Sequence, residues 1–508
     1  MGVEHVRKIN VMVLRLAESN SRPHMSAKPP RVIPIQPVGT PAQGGSLFQS
    51  HQTIHPRTAE GLFANWRWIF VWLTQIVYYG LPWLKWNGRQ SVLFDLDERR
   101  FYLFDLILYP QDFIYLAALL VLSALALFFF TAVAGRLWCG FACPQTVYTE
   151  IFMWIEKRFE GERLARIKLD AAPMSFNKAW RKGGKHFSWG IFSLWTGLTF
   201  VGYFTPIQTL VAHTASLALG PWEAFWIVFY GLATYGNAGY LREQVCKYMC
   251  PYARFQGVMI DGDSLIVGYD TARGENRGSR SKSADRAKLG LGDCVDCTMC
   301  VQVCPVGIDI RNGFQMECIG CGACIDACDT VMDKMKYPRG LIRFTTQNGL
   351  QHGWKRPELL QRVLRPRTLV YGFAMLAGVG LLAASLATRD PFRVSVIRDR
   401  GVMARMVDDG DVENIYRLHI MNAMETTQTY RIDVSALHGV NGLRIEDAQD
   451  VKLGPAESRD VSVRVRLAGQ VAASRVGQIL PIQLGVEQLG PYGQSIRVLE
   501  KSTFVLPR

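Results

Sequence analysis

The chain has 508 residues, 49% of them apolar, with 13 Trp and a formal net charge of +14. That length leaves room for several domains. Such a charge raises nucleic acid as a partner, but no nucleic-acid reading module is present, and the basic residues are distributed as in a membrane protein.

Residues 1–60 are polar, Pro-rich and aperiodic, and are predicted to form a disordered cytoplasmic N-terminus. The run Ile9–Leu16 is short and contains Arg15, which makes a poor signal-peptide core. Five apolar runs then approach the ~20 residues that a bilayer requires: 63–84, 113–134, 188–206, 221–241 and 368–387. The 221–241 run contains Glu223, Asn237, Gly and Pro, so a buried or re-entrant helix is the alternative there. Arg67 and Glu223 lie close enough to span ends to reach the interface.

Loop 135–187 is densely basic, from Arg136 to Lys185, and so is 242–367. By contrast, 206–220 has no Lys or Arg, and 85–112 balances its bases with Asp95, Asp97, Glu98, Asp105 and Asp112. Five spans with the N-terminus in the cytoplasm put every basic loop inside and the C-terminal region outside. All twelve cysteines then fall on or near the cytoplasmic side, where thiols stay reduced, and residues 388–508 contain none.

An internal repeat runs through the membrane region, 61–259. One span ends in Arg136-Leu137-Trp138, followed by Cys139-x3-Cys143-Pro144; another ends in Arg242-Glu243-Gln244, followed by Cys246-x3-Cys250-Pro251. On a helix, residues four apart share a face and can hold one metal together. Two such pairs offer four soft thiolates, suited to Cu(I), zinc or an iron–sulfur cluster. The bland alternative is that these are buried small hydrophobes.

Residues 260–293, rich in Gly, Arg and Ser, read as a linker into a module at 294–337. There the spacing is Cys294-x2-Cys297-x2-Cys300-x3-Cys304-Pro305, then Cys318-x2-Cys321-x2-Cys324-x3-Cys328. This is the spacing of a bacterial two-cluster ferredoxin, in which the fourth Cys of each run ligates the other cluster. On that pattern Cys294, Cys297, Cys300 and Cys328 hold one [4Fe–4S] cluster, and Cys318, Cys321, Cys324 and Cys304 hold the other. Structural zinc is the alternative, although zinc sites usually pair their cysteines across a longer spacer. Asp329 stands where a second proline would be, and proline there is no ligand.

Residues 338–367 read as a second cytoplasmic linker and 368–388 as the last span. Over 389–508, alternating runs at 393–398, 412–421, 428–434, 460–467, 479–486 and 494–505 predict short strands. Turn residues separate them at Asp408-Asp409-Gly410, Asn441-Gly442, Gly454-Pro455 and Gly490-Pro491. This is the pattern of an immunoglobulin-like β-sandwich. Two weaker sites are a metal or quinone contact at His213 and an external copper site at His419, Met421 and Met424; ordinary packing is the alternative for each. The expected fold is therefore an integral membrane α-helical bundle of about five transmembrane helices, an inserted cytoplasmic two-cluster ferredoxin-like module, and a C-terminal all-β immunoglobulin-like domain.

Over residues 60–508 the sequence resembles the cytochrome oxidase accessory proteins CcoG, also called FixG or RdxA. The likeness rests on Trp138-Cys139-Gly140-Phe141-Ala142-Cys143-Pro144-Gln145-Thr146 and on Arg242 to Tyr252. It continues through Tyr269 to Glu275, both cluster runs, Asp333 to Gly340, and Glu413-Asn414-Ile415-Tyr416. The resemblance implies a bacterial inner-membrane protein, with its C-terminal domain periplasmic, that serves assembly of cbb3-type cytochrome oxidase. It implies two [4Fe–4S] clusters on the eight cysteines already named, and reduction of Cu(II) to Cu(I), with copper bound transiently. Cys139, Cys143, Cys246 and Cys250 match the family's membrane motif and are the candidate catalytic residues. Implied partners are oxidase assembly factors, copper-handling proteins and a cytoplasmic electron donor. Rival readings are a quinol-linked electron conduit to periplasmic reductases and a non-catalytic assembly scaffold.

Overall fold

The computed structural model describes residues 54–354, 356–398, 404–407, 410–436, 442–446, 450–489 and 495–507. Each apolar run becomes a helix: Leu62–Gly80, Phe113–Ala134, Phe176–Val201, Pro221–Thr234 and Pro366–Ala387. Two of them are long and apolar enough to cross a membrane on that basis alone: Phe113–Ala134, with the short turn Pro110–Asp112 before it, and Pro366–Ala387. Their apolar windows are wholly unburied, as lipid-facing surface would be.

The third expected span starts earlier than its apolar run. Its helix begins at Phe176, where Ser175 accepts from the Lys178 amide, so its first turns are basic and only its second half is apolar. The fourth loses regularity where Gly236, Asn237 and Gly239 cluster. Beyond Thr234 the turns widen to i→i+5 over Tyr235–Leu241, and the Asn237 carbonyl accepts from both Arg242 and Gln145.

The two apolar helices run antiparallel, as contacts at their opposite ends establish. At one end Arg365 Nη2 donates to the Ala132 carbonyl (2.7 Å) and Nη1 to Asp261 (2.6 Å). At the other, Asp112 is buried between Arg389 (2.5 Å) and Arg393 (3.0 Å). The cysteine-bearing region adjoins the first end and an all-β region adjoins the second.

That β region is a sandwich. One sheet has the order Leu443–Ile445, Ser458–Leu467, Val412–Asn422, Phe392–Arg398, with Arg405–Met406 also pairing to Val412–Asn422. The other has the order Val451–Leu453, Gln428–Ala436, Ile479–Leu489, Ser495–Val505. Alternation decides the core: Tyr416, Leu418 and Ile420 point inward with no exposed surface and meet Tyr430, Ile482 and Leu484. All six expected strand runs are present, whereas the turn residues Asp408, Asp409, Asn441, Gly490 and Pro491 lie outside the described residues.

Three expectations need correction. The disorder predicted for 1–60 does not extend over 54–60, and residues 1–53, Ile9–Leu16 among them, lie outside the described residues. In 54–60 the backbone is claimed by arginine donors and by the module: Arg163 donates to the His55 carbonyl, Arg166 to the Pro56 carbonyl, and the Arg57 amide to Gln302. Secondly, 85–112 is no plain loop. Val92–Asp95, Arg100–Leu103 and Leu106–Leu108 form a three-stranded meander whose buried Leu93, Tyr102 and Ile107 join Met421 of the sandwich in one apolar cluster. Thirdly, the linkers on either side of the cysteine module supply a strand each, Ile266–Tyr269 and Ile342–Thr345, paired antiparallel. Every residue of the first is buried, because its apolar run completes the module's core.

Asp112 carries the connection between helix pair and sandwich. Removing one partner of a buried ionic cluster costs about 3–5 kcal/mol. Asp112→Asn is therefore expected to loosen this joint, read as faster protease cleavage between Ala387 and Phe392 in otherwise intact protein. Equal cleavage rates for the two proteins would contradict the clamp.

Candidate redox centre

The two cysteine runs fold as copies of one loop. Asp296 and Thr298 in the first adopt left-handed backbone (φ 52° and 56°), as do Gly320 and Gly322 at the matching positions of the second (69° and 73°). Each run then enters a helix, Met299–Gln302 or Ala323–Met335. Left-handed residues at alternate positions turn successive amides inward, the concave arrangement that cradles anionic groups including iron–sulfur centres. The second loop uses glycine for this; the first places Asp and Thr where glycine would be less strained.

The loops enclose two cavities. One, of about 360 Å³, is lined by Cys294, Cys297, Cys300 and Cys328, with Tyr269 and Arg311 at its edge. The other, of about 370 Å³, is lined by Cys304, Cys318, Cys321 and Cys324, and Cys300 also reaches it. The grouping is crossed: the fourth cysteine of each run lies with the first three of the other. Among the described residues, no carboxylate or imidazole lines either cavity. This donor set, sulfur only and in an apolar wall, fits a soft iron–sulfur group.

Burial raises five of these thiols. Cys300 is pushed up to about 11, and Cys318 and Cys328 up to about 12; Cys304 and Cys324 move in the same direction. Ligation by a metal centre would reverse this by displacing the protons.

Of the four remaining cysteines, Cys139 and Cys246 pack beside residues that line the second cavity. Cys139 is in the short helix Leu137–Phe141 and packs in one apolar cluster with Cys304, Cys321 and Cys324. Gly140 comes so close to the cluster loop that a Cβ there would stand 2.7 Å from Cys321 Cα and 2.8 Å from its nitrogen. Burial lifts Cys139 to about 11, and lifts Cys246 to about 12 with Cys143, Cys139 and Cys250 as charged neighbours adding to it. All four thiols are thus within electrostatic reach of one another. Gln256 joins the two repeats, its amide lying 3.4–3.5 Å from Cys139 Sγ.

The expected shared helical face is corrected. Cys143 and Cys250 are not on the same helix as their partners; each is the residue before a new helix, Pro144–Glu160 or Pro251–Met259, with proline in its first turn. Proline has no N–H to donate to the continuing ladder, so the helix restarts there. Both cysteines consequently sit in extended backbone at a helix N-terminus, a matched geometry in the two repeats. Among the described residues, no three His, Cys, Asp or Glu side chains converge closely enough to hold a single ion.

The weaker candidates are not assembled. His419 pairs with Asp460 (2.6 Å) while Met421 is buried in the meander cluster, and Met424 Sδ accepts from Gln488. His213 lies 3.7 Å from Glu223, which in turn accepts from the Gly220 amide and caps its helix. Arg67 does not reach the interface: it is buried and bonded to Glu150.

Sequence reasoning missed several members of this site. Asp326, between two cluster cysteines, accepts from the Phe63 and Ala64 amides (3.2 and 2.8 Å) and so caps the Leu62–Gly80 helix. Gly140, Gln256 and Arg136 were also missed; only Gly140, a small residue between bulky ones in its motif, carried a local signal.

Three family models match parts of the chain. A family model described as "4Fe-4S dicluster domain" matches residues 241–347, one described as "4Fe-4S binding domain" matches 116–161, and the "IG-like fold at C-terminal of FixG" matches 382–507. "Nitrogen fixation protein FixG" of Rhizobium meliloti is 37% identical over 457 residues, covering 83% of this chain and 87% of its own. "Protein RdxA" of Cereibacter sphaeroides is 37% identical over 458 residues, covering 87% and 95%. A crystal structure of a FixG-related protein from Vibrio parahaemolyticus is 26% identical over 23% of this chain and 97% of that one, with a TM-score of 0.19.

The Gly140 contact is directly testable. Gly140→Ala must push the two loops apart, at a cost of about 1–3 kcal/mol from overpacking. The expected result is a lower temperature for loss of iron–sulfur absorbance, with Gly183→Ala, an open helical position, as the unaffected control. An unchanged Gly140→Ala profile would show that the loops are not pressed together.

Proposed function

The chain belongs to the FixG/RdxA family, and from that premise we propose that it is a membrane-bound electron-transfer protein that reduces Cu(II) to Cu(I) for assembly of cbb3-type cytochrome oxidase. Under this reading Cys294, Cys297, Cys300 and Cys328 hold one [4Fe–4S] cluster, and Cys304, Cys318, Cys321 and Cys324 hold the other. When bound, the clusters supply one-electron transfer at potentials tuned by burial and by hydrogen bonds to sulfur. The largely apolar cavity walls limit water at the buried sulfurs, while Cys297 stays exposed, and the left-handed turns have the backbone form that gathers amides around an anionic group.

The observation that carries the proposal is the packing of Gly140 on Cys321, which leaves no side chain between the second cavity and the loop of Cys139. Copper is the substrate. Cu(II) taken up among Cys139, Cys143, Cys246 and Cys250 accepts one electron and leaves as Cu(I), which thiolate ligands prefer. Burial favours the protonated form of Cys139, Cys143 and Cys246, and these thiols release protons as the metal enters.

Five spans carry this site, with the N-terminus cytoplasmic and the sandwich periplasmic. The basic loops at the cysteine end support that orientation. So do the two apolar helices, each 22 residues and about 33 Å long at 1.5 Å per residue, which part the sulfur chemistry from the sandwich. Copper is then loaded at the inner surface. Electrons enter from a cytoplasmic donor, and the sandwich meets oxidase assembly factors and copper-handling proteins.

Changing Cys139 and Cys143, or Cys246 and Cys250, to Ser is expected to bring Cu(II) reduction to background while the [4Fe–4S] absorbance survives. Full activity in both double variants would end the copper assignment. Quinol oxidation by membranes without added copper would favour the conduit reading instead.

A further inference from the structure

Arg136 lies where the two sets of sulfurs meet. Its side chain is buried, with the residue 8% exposed, and it lines a cavity of about 270 Å³ together with Cys318 and Gly320. Its carbonyl abuts Gly320, where a Cβ would stand 3.3 Å away. Cys139, Cys246 and Cys318 all sense its charge.

A guanidinium keeps its proton at any working pH. This one donates from Nη2 to the Ala253 carbonyl at 2.9 Å, and its Nε has no hydrogen-bond partner among the described residues. No carboxylate among those residues forms an ion pair with it. A buried cation needs a counter-charge, and the groups able to supply one here are sulfurs.

The other arginines near the cavities differ. Arg311, beside the Cys294/Cys297/Cys300/Cys328 cavity, is tied to Asp309 (2.7 and 2.8 Å) and to Asp296 (2.5 Å). Arg67, which reaches toward Cys321, is bonded to Glu150. Their charges are spent on neighbouring carboxylates; the charge of Arg136 is not.

Resting on the cluster reading above, we propose that Arg136 is the standing counter-charge that gives the Cys304/Cys318/Cys321/Cys324 centre a higher reduction potential than the Cys294/Cys297/Cys300/Cys328 centre. Net charge is one of the determinants of such potentials. An added electron makes a thiolate-ligated centre more negative, and an uncompensated fixed cation favours that form. With both clusters bound, one electron would pass from the Cys294/Cys297/Cys300/Cys328 centre, oxidising it, to the Cys304/Cys318/Cys321/Cys324 centre beside the Cys139 loop, reducing it, with no proton required. Arg136 is a positioning residue: it sets the direction of flow and takes no part in copper binding.

The test is potentiometric titration of the full-length protein, purified in detergent without oxygen and followed by low-temperature EPR. Cys297→Ser, which removes one ligand of the Cys294/Cys297/Cys300/Cys328 centre, assigns the two signals. The wild type is expected to show the Cys304/Cys318/Cys321/Cys324 centre as the higher of two midpoints. Arg136→Gln should lower that midpoint alone at unchanged iron content, and Arg136→Lys should restore most of it. The reverse order of midpoints in the wild type would overturn the proposal even if Arg136→Gln failed to hold iron. So would a fully loaded Arg136→Gln protein with both midpoints unmoved. A wild type without any cluster signal would instead overturn the cluster reading itself.

Discussion

The close approach of Gly140 to the Cys321 backbone is the constraint on which the other features depend. A side chain of any size at position 140 would hold the membrane motif off the cysteine module. Without one, Cys139 joins the same apolar cluster as Cys304, Cys321 and Cys324, so the two motifs form one packed unit. Protein interiors are close-packed, and a shift of one loop is transmitted to its neighbour. The geometry of the thiol pairs is thereby referred to the geometry of the cluster loops.

Several buried polar contacts hold that unit in place by joining separate elements of the chain. Asp326 caps the Leu62–Gly80 helix from within the second cysteine run. The Arg67–Glu150 pair ties that helix to Pro144–Glu160, which follows directly on Cys143. Glu156, further along the same helix, is shared by Arg166, Lys185 and Arg242, and its carboxyl is held below the usual range by those cations despite the opposing effect of burial. Such ionic groups are weak evidence of net stability, since desolvation opposes them. What they specify is register: each carboxylate is satisfied only when its helix stands in one place.

The cluster runs were legible in the sequence because a triplet of cysteines at fixed spacing leaves few chemical readings, and the strands of the sandwich because alternation has a period of two. The crossed grouping of the eight cysteines in two cavities follows the same spacing rule. Contacts made across the chain were not legible. Ile266–Tyr269 is four residues among glycines and arginines, and only its partner Ile342–Thr345, more than seventy residues on, makes it a strand. Asp326 reads as a surface acid on a short helix until the amides of Phe63 and Ala64 are seen above it. The paired Cys-x3-Cys motifs misled in a specific way: four-residue spacing suggests one helical face, but proline restarts the helix after the second cysteine, so the pair straddles two elements.

The two ends of the antiparallel helix pair are built from different materials, and this divides the labour between them. Sulfur, arginine and left-handed loops gather at the end marked by Ala132 and Arg365. The end marked by Asp112 and Arg389 carries a sandwich whose polar groups are already committed: His419 to Asp460, Asn422 to the Thr426 and Gly454 carbonyls, Glu413 to Arg405 and Arg466. Met421, the one soft donor on the strand of His419, is fixed in the apolar seam with the meander. A metal arriving at that end would have to displace existing bonds, whereas one arriving at the cysteine end meets thiols whose own burial disfavours the charge that ligation would satisfy. Electron chemistry belongs to the first end; the second is suited to holding a surface in fixed orientation above it.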